Sequence, residues 1–185
     1  MIHLDYNNCR IEFIRDDITN QAVDAIVNAA NASLAGGGGV DGAIHRRGGS
    51  AIMRETSEKY PNGCPTGSAV ASGAGHLNAK FVFHAVGPRW KGGTAGESDL
   101  LRAAYRTCLE LAVQHGCQSI AFPSISTGIY GYPIQQAAPL AIQTVVEFLR
   151  ESATTIQLVR FCLFSDADLE VYTDVLNGIK QNLSS

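Results

Sequence analysis

The chain lacks a disulfide framework. Its five cysteines, Cys9, Cys64, Cys108, Cys117 and Cys162, are odd in number and form no Cys-x-x-Cys pair. They read as reduced, buried, small apolar residues of a reducing compartment, which makes the expected location cytoplasmic. Residues 1–10 (MIHLDYNNCR) hold no apolar stretch of the kind a secretory signal needs. No apolar run approaches the ~18 residues of a membrane-spanning helix. Lys/Arg clustering goes no further than Arg46-Arg47, and the net charge is -3. That balance argues against nucleic acid as the main ligand. It leaves room for a small anion, because backbone N–H groups hold phosphates without basic side chains. The five histidines, His3, His45, His76, His84 and His115, show no metal-binding spacing, so no metal site is expected. A Gly-x-Ser-x-Gly elbow and a Gly-x-x-x-x-Gly-Lys-Ser/Thr loop are both absent. No visible group activates a cysteine nucleophile.

What is present reads as one domain spanning residues 1–185. A chain of this length buries roughly 70% of the surface its unfolded form exposes, so it needs no staple. Strand patterns occur at Arg10–Arg15, Asp24–Ala29, Ser68–Ser72, Phe81–Val86, Ser119–Phe122 and Ile156–Phe164. Helical patterns lie between them at Gly42–Lys59, Ser98–His115, Pro133–Arg150 and Asp168–Gln181. Gly116 is placed to end the second helix, and Pro133 to begin the third. The alternation implies a three-layer α/β sandwich. Ligands in such folds sit at the carboxyl ends of strands.

Two loops stand at those ends. After DAIVNA comes AANASLAGGGGVDGAIH, residues 29–45, with four consecutive glycines from Gly36 to Gly39. So many glycines cost conformational entropy, and their physical use is to bring bare backbone N–H groups to a ligand. A helix start near Val40–Gly42 adds its positive end. Gly37, Gly39 and Gly42 match a dinucleotide fingerprint literally. However, the intervening Asn31–Ala35 and the missing second strand argue against that reading. The other loop, Ser124–Pro133 (SISTGIYGYP), offers hydroxyls at Ser126 and Thr127 and backbone N–H groups around Gly128. Two such cradles on adjacent strands suit a diphosphate better than a single phosphate.

Several polar residues have two readings. Asp17 either caps a short turn or accepts a hydrogen bond from an exocyclic amine. Asn28 reads as a residue that repairs loop backbone bonds, while Asn31 lies closer to the glycines and suits a sugar hydroxyl or a water. Asp41, the one acid of the glycine loop, is either a helix cap or a base that orients water. Neighbouring phosphate charge would favour its protonated form. His45 shares its helix face and reads as structural.

Taken together, DDIT, VNAAN, GGGGVDGAIH and STGIYGYP resemble the macrodomain family, and most closely its MacroD-type branch of O-acetyl-ADP-ribose and ADP-ribosyl hydrolases. CPTG (Cys64–Gly67) and FVFHAVGP (Phe81–Pro88) extend the match, which runs from about Arg10 to Tyr172. The resemblance implies a mixed, about six-stranded sheet between helices, an α/β/α sandwich with ADP-ribose in a surface cleft. It places Asp17 and the Ile18 backbone at the adenine amine, with Phe164 against the ring. Gly38, Gly39, Val40 and the loop Ser126, Thr127, Gly128, Ile129 and Tyr130 would wrap the diphosphate. Asn31 and Tyr130 would hold the distal ribose, and Asp41 with Asn31 would form the catalytic pair. Two positions depart from the family pattern. Asp16 stands where glycine is usual and either turns outward or crowds the loop, and the arginines of HRRGG replace smaller residues.

The expected activity is hydrolysis of ADP-ribose esters. It would remove acetyl from O-acetyl-ADP-ribose and mono-ADP-ribose from acidic protein side chains, with ADP-ribosylated proteins as further partners and no cofactor. The rival is a reader module that binds ADP-ribose without cleaving it, for which Asp41 would be unnecessary. A dehydrogenase on a dinucleotide fold is a third reading.

Overall fold

The structure is a computed structural model that describes residues 2–183. Its strands are β1 (Ile2–Tyr6), β2 (Cys9–Arg15), β3 (Ala25–Ala29), β4 (Ala69–Gly73), β5 (Phe81–Ala85), β6 (Ser119–Phe122) and β7 (Leu158–Leu163). Its helices are α1 (Gly39–Gly48), α2 (Ser50–Lys59), α3 (Glu97–Gln114), α4 (Ile134–Glu151) and α5 (Asp166–Leu183). The strands form one sheet in the order β1-β2-β7-β6-β3-β5-β4. Neighbours from β2 to β5 are parallel, and β1 and β4 pair antiparallel at the two edges.

The sheet has seven strands, one more than expected. The added strand is Ile2–Tyr6, where half-buried Ile2, Leu4 and Tyr6 alternate with exposed His3 and Asp5. That alternation is an edge strand's pattern. The helix expected over Gly42–Lys59 is two helices. Gly49 lies between them at φ +84°, a conformation that stops α1 and is open to glycine alone at little cost.

Alternate residues of each central strand face opposite layers, as the period of two requires. Val27, Phe83, Phe122 and Phe161 pack with Leu101, Tyr105, Ile142 and Tyr172 of α3, α4 and α5. Ile26, Val82, Ala121 and Cys162 pack with Ile44 and Ile52 of α1 and α2. The three-layer arrangement follows. All five cysteines are buried and unpaired. Among the described residues, no helix is long and apolar enough to cross a membrane, and no group of side chains is arranged to hold a metal.

Strands β3 and β6 are neighbours. The helix after β3 lies on one face of the sheet and the helix after β6 lies on the other. The two connecting loops therefore part, leaving a crevice at the carboxyl ends.

Candidate functional site

Most of the residues expected to bind the ligand follow the carboxyl ends of parallel strands, while Asp41 and His45 stand on α1 and Asn28 within β3. Asp17 and Ile18 follow β2, Asn31 to Val40 follow β3, Ser126 to Tyr130 follow β6, and Phe164 follows β7. The loops after β3 and β6 meet across the crevice. A Cβ placed on Gly38 would sit 4.0 Å from Ile129 Cδ1.

Helix α1 begins with Gly38 as its N-cap, and no side chain caps it. The first-turn N–H groups are thus left without side-chain acceptors at the positive end of the helix dipole. Across the crevice Ser126 holds φ at +69°, unusual for a residue with a side chain and a form of strain that clusters at functional sites. The base of its loop is anchored from the far layer. Tyr105 of α3 donates its hydroxyl hydrogen to Pro123 O at 3.2 Å and accepts from Ile125 N at 3.0 Å. Tyr172 of α5 reaches Ser124 Oγ at 2.9 Å. Trp90 N donates to Tyr130 O at 2.8 Å, and the Arg89 guanidinium lies 4.3 Å from the centre of the Tyr130 ring.

Asp41 occupies the third residue of α1 and does not cap it. Its side chain turns inward and is buried. Oδ1 accepts from Asn28 Nδ2 at 2.7 Å and faces His45 Nε2 at 3.3 Å. Oδ2 receives no hydrogen bond among the described residues and lies 3.4 Å from where a Cβ on Gly37 would be. Asn31 Nδ2 flanks the same point at 3.9 Å, so the two side chains expected to share the chemistry converge at Gly37. Burial raises the Asp41 carboxyl, but the hydrogen bonds from His45 and Asn28 outweigh it and leave the group below its ordinary value. The carboxylate is therefore the favoured form.

Asn28 does not repair loop backbone. Its amide nitrogen bridges Asp41 and His84 Nδ1, the latter at 3.2 Å. His84 Nε2 lies 2.8 Å from Ser72 Oγ. Asn28 and His84 are direct partners in the β3–β5 register. Sequence reasoning missed this role for both. The available signal was a polar residue at matching places in two otherwise apolar strands, DAIVNA and FVFHAV.

Asn31 is tied into its own loop. Nδ2 donates to Gly36 O at 2.8 Å, while Oδ1 accepts from Ser33 Oγ at 2.9 Å and from Ala35 N at 3.1 Å. One amide hydrogen remains for a ligand. Asp17 is an N-cap, its Oδ1 accepting from Thr19 N at 2.9 Å and Thr19 Oγ1 at 2.7 Å. That use leaves Oδ2 uncommitted, so capping and ligand binding are compatible. Asp16 is exposed and does not crowd the loop. It folds back to accept from Asp17 N at 2.7 Å and Gln21 Nε2 at 2.9 Å. Gln21 in turn accepts from Arg160, which is paired with Glu12 at 2.8 Å. Phe164 and Ile129 are 92% and 80% exposed, large apolar groups in water at opposite ends of the crevice loops.

The sequence model of the Macro domain family matches residues 27–141. A Macro domain-containing protein of Caldanaerobacter subterraneus subsp. tengcongensis is 55% identical over 166 residues, covering 89% of this chain and 94% of that protein. The O-acetyl-ADP-ribose deacetylase of Citrobacter rodentium is 52% identical over 157 residues, covering 84% of this chain and 89% of that protein. Among solved structures, the Oceanobacillus iheyensis macrodomain with ADP superposes with a TM-score of 0.92 at 39% identity, covering 98% of this chain and 97% of the other.

Proposed function

The chain belongs to the Macro domain family, and from that premise we propose that it hydrolyses ADP-ribose esters, with O-acetyl-ADP-ribose as substrate. Mono-ADP-ribose esterified to Asp or Glu side chains of proteins is the second substrate class, because it presents the same sugar ester to the same crevice. The observation that carries the reading is Asp41. Its Oδ1 is engaged by Asn28 and faces His45, while its Oδ2 is an unclaimed oxygen beside the glycine loop.

In this reading the adenine rests on Phe164, with its amine on Asp17 Oδ2 and the Ile18 backbone. The diphosphate lies between Gly38–Val40 and Ser126–Tyr130, held by backbone N–H groups and the start of α1. The distal ribose takes the second amide hydrogen of Asn31 and meets Tyr130. Asp41 Oδ2 accepts a proton from water as that water attacks the ester carbonyl. The acyl–oxygen bond then breaks, and the ribose oxygen leaves with a proton as the free hydroxyl. Holding both ends of the ligand converts this into a proximity-assisted step. The relative named O-acetyl-ADP-ribose deacetylase supports the reaction class.

Single-turnover incubation with O-acetyl-ADP-ribose tests the assignment. Asp41→Ala is expected to slow acetate release at least ~100-fold, the scale of a lost general base, while still binding ADP-ribose. Equal, slow release by both proteins with binding intact would make the chain a reader.

A further inference from the structure

We propose that Asn28 and His84 are positioning residues for Asp41, a buried polar chain across three strands that holds one carboxylate oxygen so that only the other faces the cleft. The proposal rests on the hydrolytic reading above and extends it to two residues outside the crevice wall.

The hydrogen-bond directions fix one another. Asn28 Nδ2 has two hydrogens and two acceptors, Asp41 Oδ1 and His84 Nδ1. His84 Nδ1 accepts only if it carries no hydrogen, so the neutral ring keeps its hydrogen on Nε2 and donates it to Ser72 Oγ. Ser72 then donates to Gly73 O at 2.9 Å. Donation diverges from Asn28: one amide hydrogen goes to Asp41 on α1 and the other to His84 on β5, which passes its own on to Ser72 on β4, with one donor and one acceptor at every link.

Asn28 Oδ1 is buried and has no partner among the described residues. An asparagine retained only for folding would be expected to satisfy that oxygen. Turning the amide over would aim the oxygen at a carboxylate, so the orphan is the cost of presenting nitrogen to Asp41. Burial holds His84 down to about 4, with the His45 charge adding to this and Asp41 and Glu55 opposing it. The acceptor form of Nδ1 therefore persists through neutral pH. The titratable groups around the chain are Asp41 and His45 on α1 and Glu55 on α2.

The test follows the Asp41 carboxyl carbon by NMR titration without substrate, together with the rate–pH profile, in the wild type, Asn28→Asp and Asn28→Ala. Asn28→Asp should raise the Asp41 midpoint by about one unit or more, because two carboxyls then share the site. The acid limb of kcat should move with it, kcat should fall at least ~10-fold, and KM should stay within about threefold. His84→Leu should act in the same direction, and His84→Gln, which keeps an acceptor, should recover much of the loss. Folded Asn28 variants with the wild-type midpoint and acid limb would overturn the proposal. If no Asn28 variant folds, the nitrogen spectrum of wild-type His84 decides. A neutral ring protonated at Nε2 supports the chain, and a hydrogen on Nδ1 overturns it. A wild type that cleaves no ester would sink the hydrolase reading, while the substrate-free midpoints still judge the positioning role.

Discussion

Phe164 and Ile129 leave large apolar surfaces in water on either side of the crevice. Phe164→Ala removes nothing from the core, so its melting temperature should stay within about 1 °C of wild type. If the ring supports a base, the same change should weaken ADP-ribose binding by about 1–3 kcal/mol, or roughly 5–150-fold, in a calorimetric titration. Unchanged affinity would remove Phe164 from the site. At this scale, the sequence directs attention to the loops after the strands and to the first turn of α1. Asp41, Asn31, Asp17 and Ser126 stand in motifs whose glycines and hydroxyls have few other physical uses. Asn28 and His84 were not legible, because a polar residue within an apolar strand announces only that it must be paired, and its partners lie 13 and 56 positions away from Asn28 in the chain.

The elements were read largely from hydrophobic period. Ser119–Phe122 was placed at its observed ends, and the other five expected strands lie within about two residues of theirs. The missed strand β1 is an edge, where only one face is buried and the signal is half as strong. The split of α1 from α2 was hidden because Gly48-Gly49 reads equally as helix interior or as a break until the backbone angle is known. The connection between β5 and α3 shows how an element can act on the site without touching a ligand. A Cβ on Gly87 would lie 2.1 Å from Ser126 Oγ and 2.5 Å from Ile125 Cγ2. Gly87→Ala must therefore push the loop after β6. We expect about 1–3 kcal/mol of destabilisation in chemical denaturation, as for other overpacked sites. ADP-ribose affinity should fall beyond what partial unfolding explains. Loss of stability without loss of affinity would uncouple that contact from the crevice.

For the whole molecule, the sheet order explains why the glycine-rich loop after β3 and the hydroxyl-bearing loop after β6 end up face to face. Adjacent strands β3 and β6 send their helices to opposite layers, and the crevice is what remains between them. Burial of His84 gives the fold an acid sensitivity. Its unfolded pKa is near 6.5 and its folded value about 4. Between those values the unfolded chain takes up a proton that the native protein refuses, so stability should fall as pH drops from about 6.5 to 4 and then stop changing on this account. The full effect is about 3 kcal/mol, and His84→Gln should flatten that part of the stability–pH curve measured by denaturant titration. A curve identical to wild type would mean that the buried ring is not what titrates.

Amide chemical-shift mapping on addition of ADP-ribose tests the central claim directly. The account expects the large shifts to fall on two stretches, residues 36–42 and 124–131, with lesser ones at Ile18 and Phe164. Shifts confined to one of the two stretches, or clustered at the opposite end of the sheet, would contradict it.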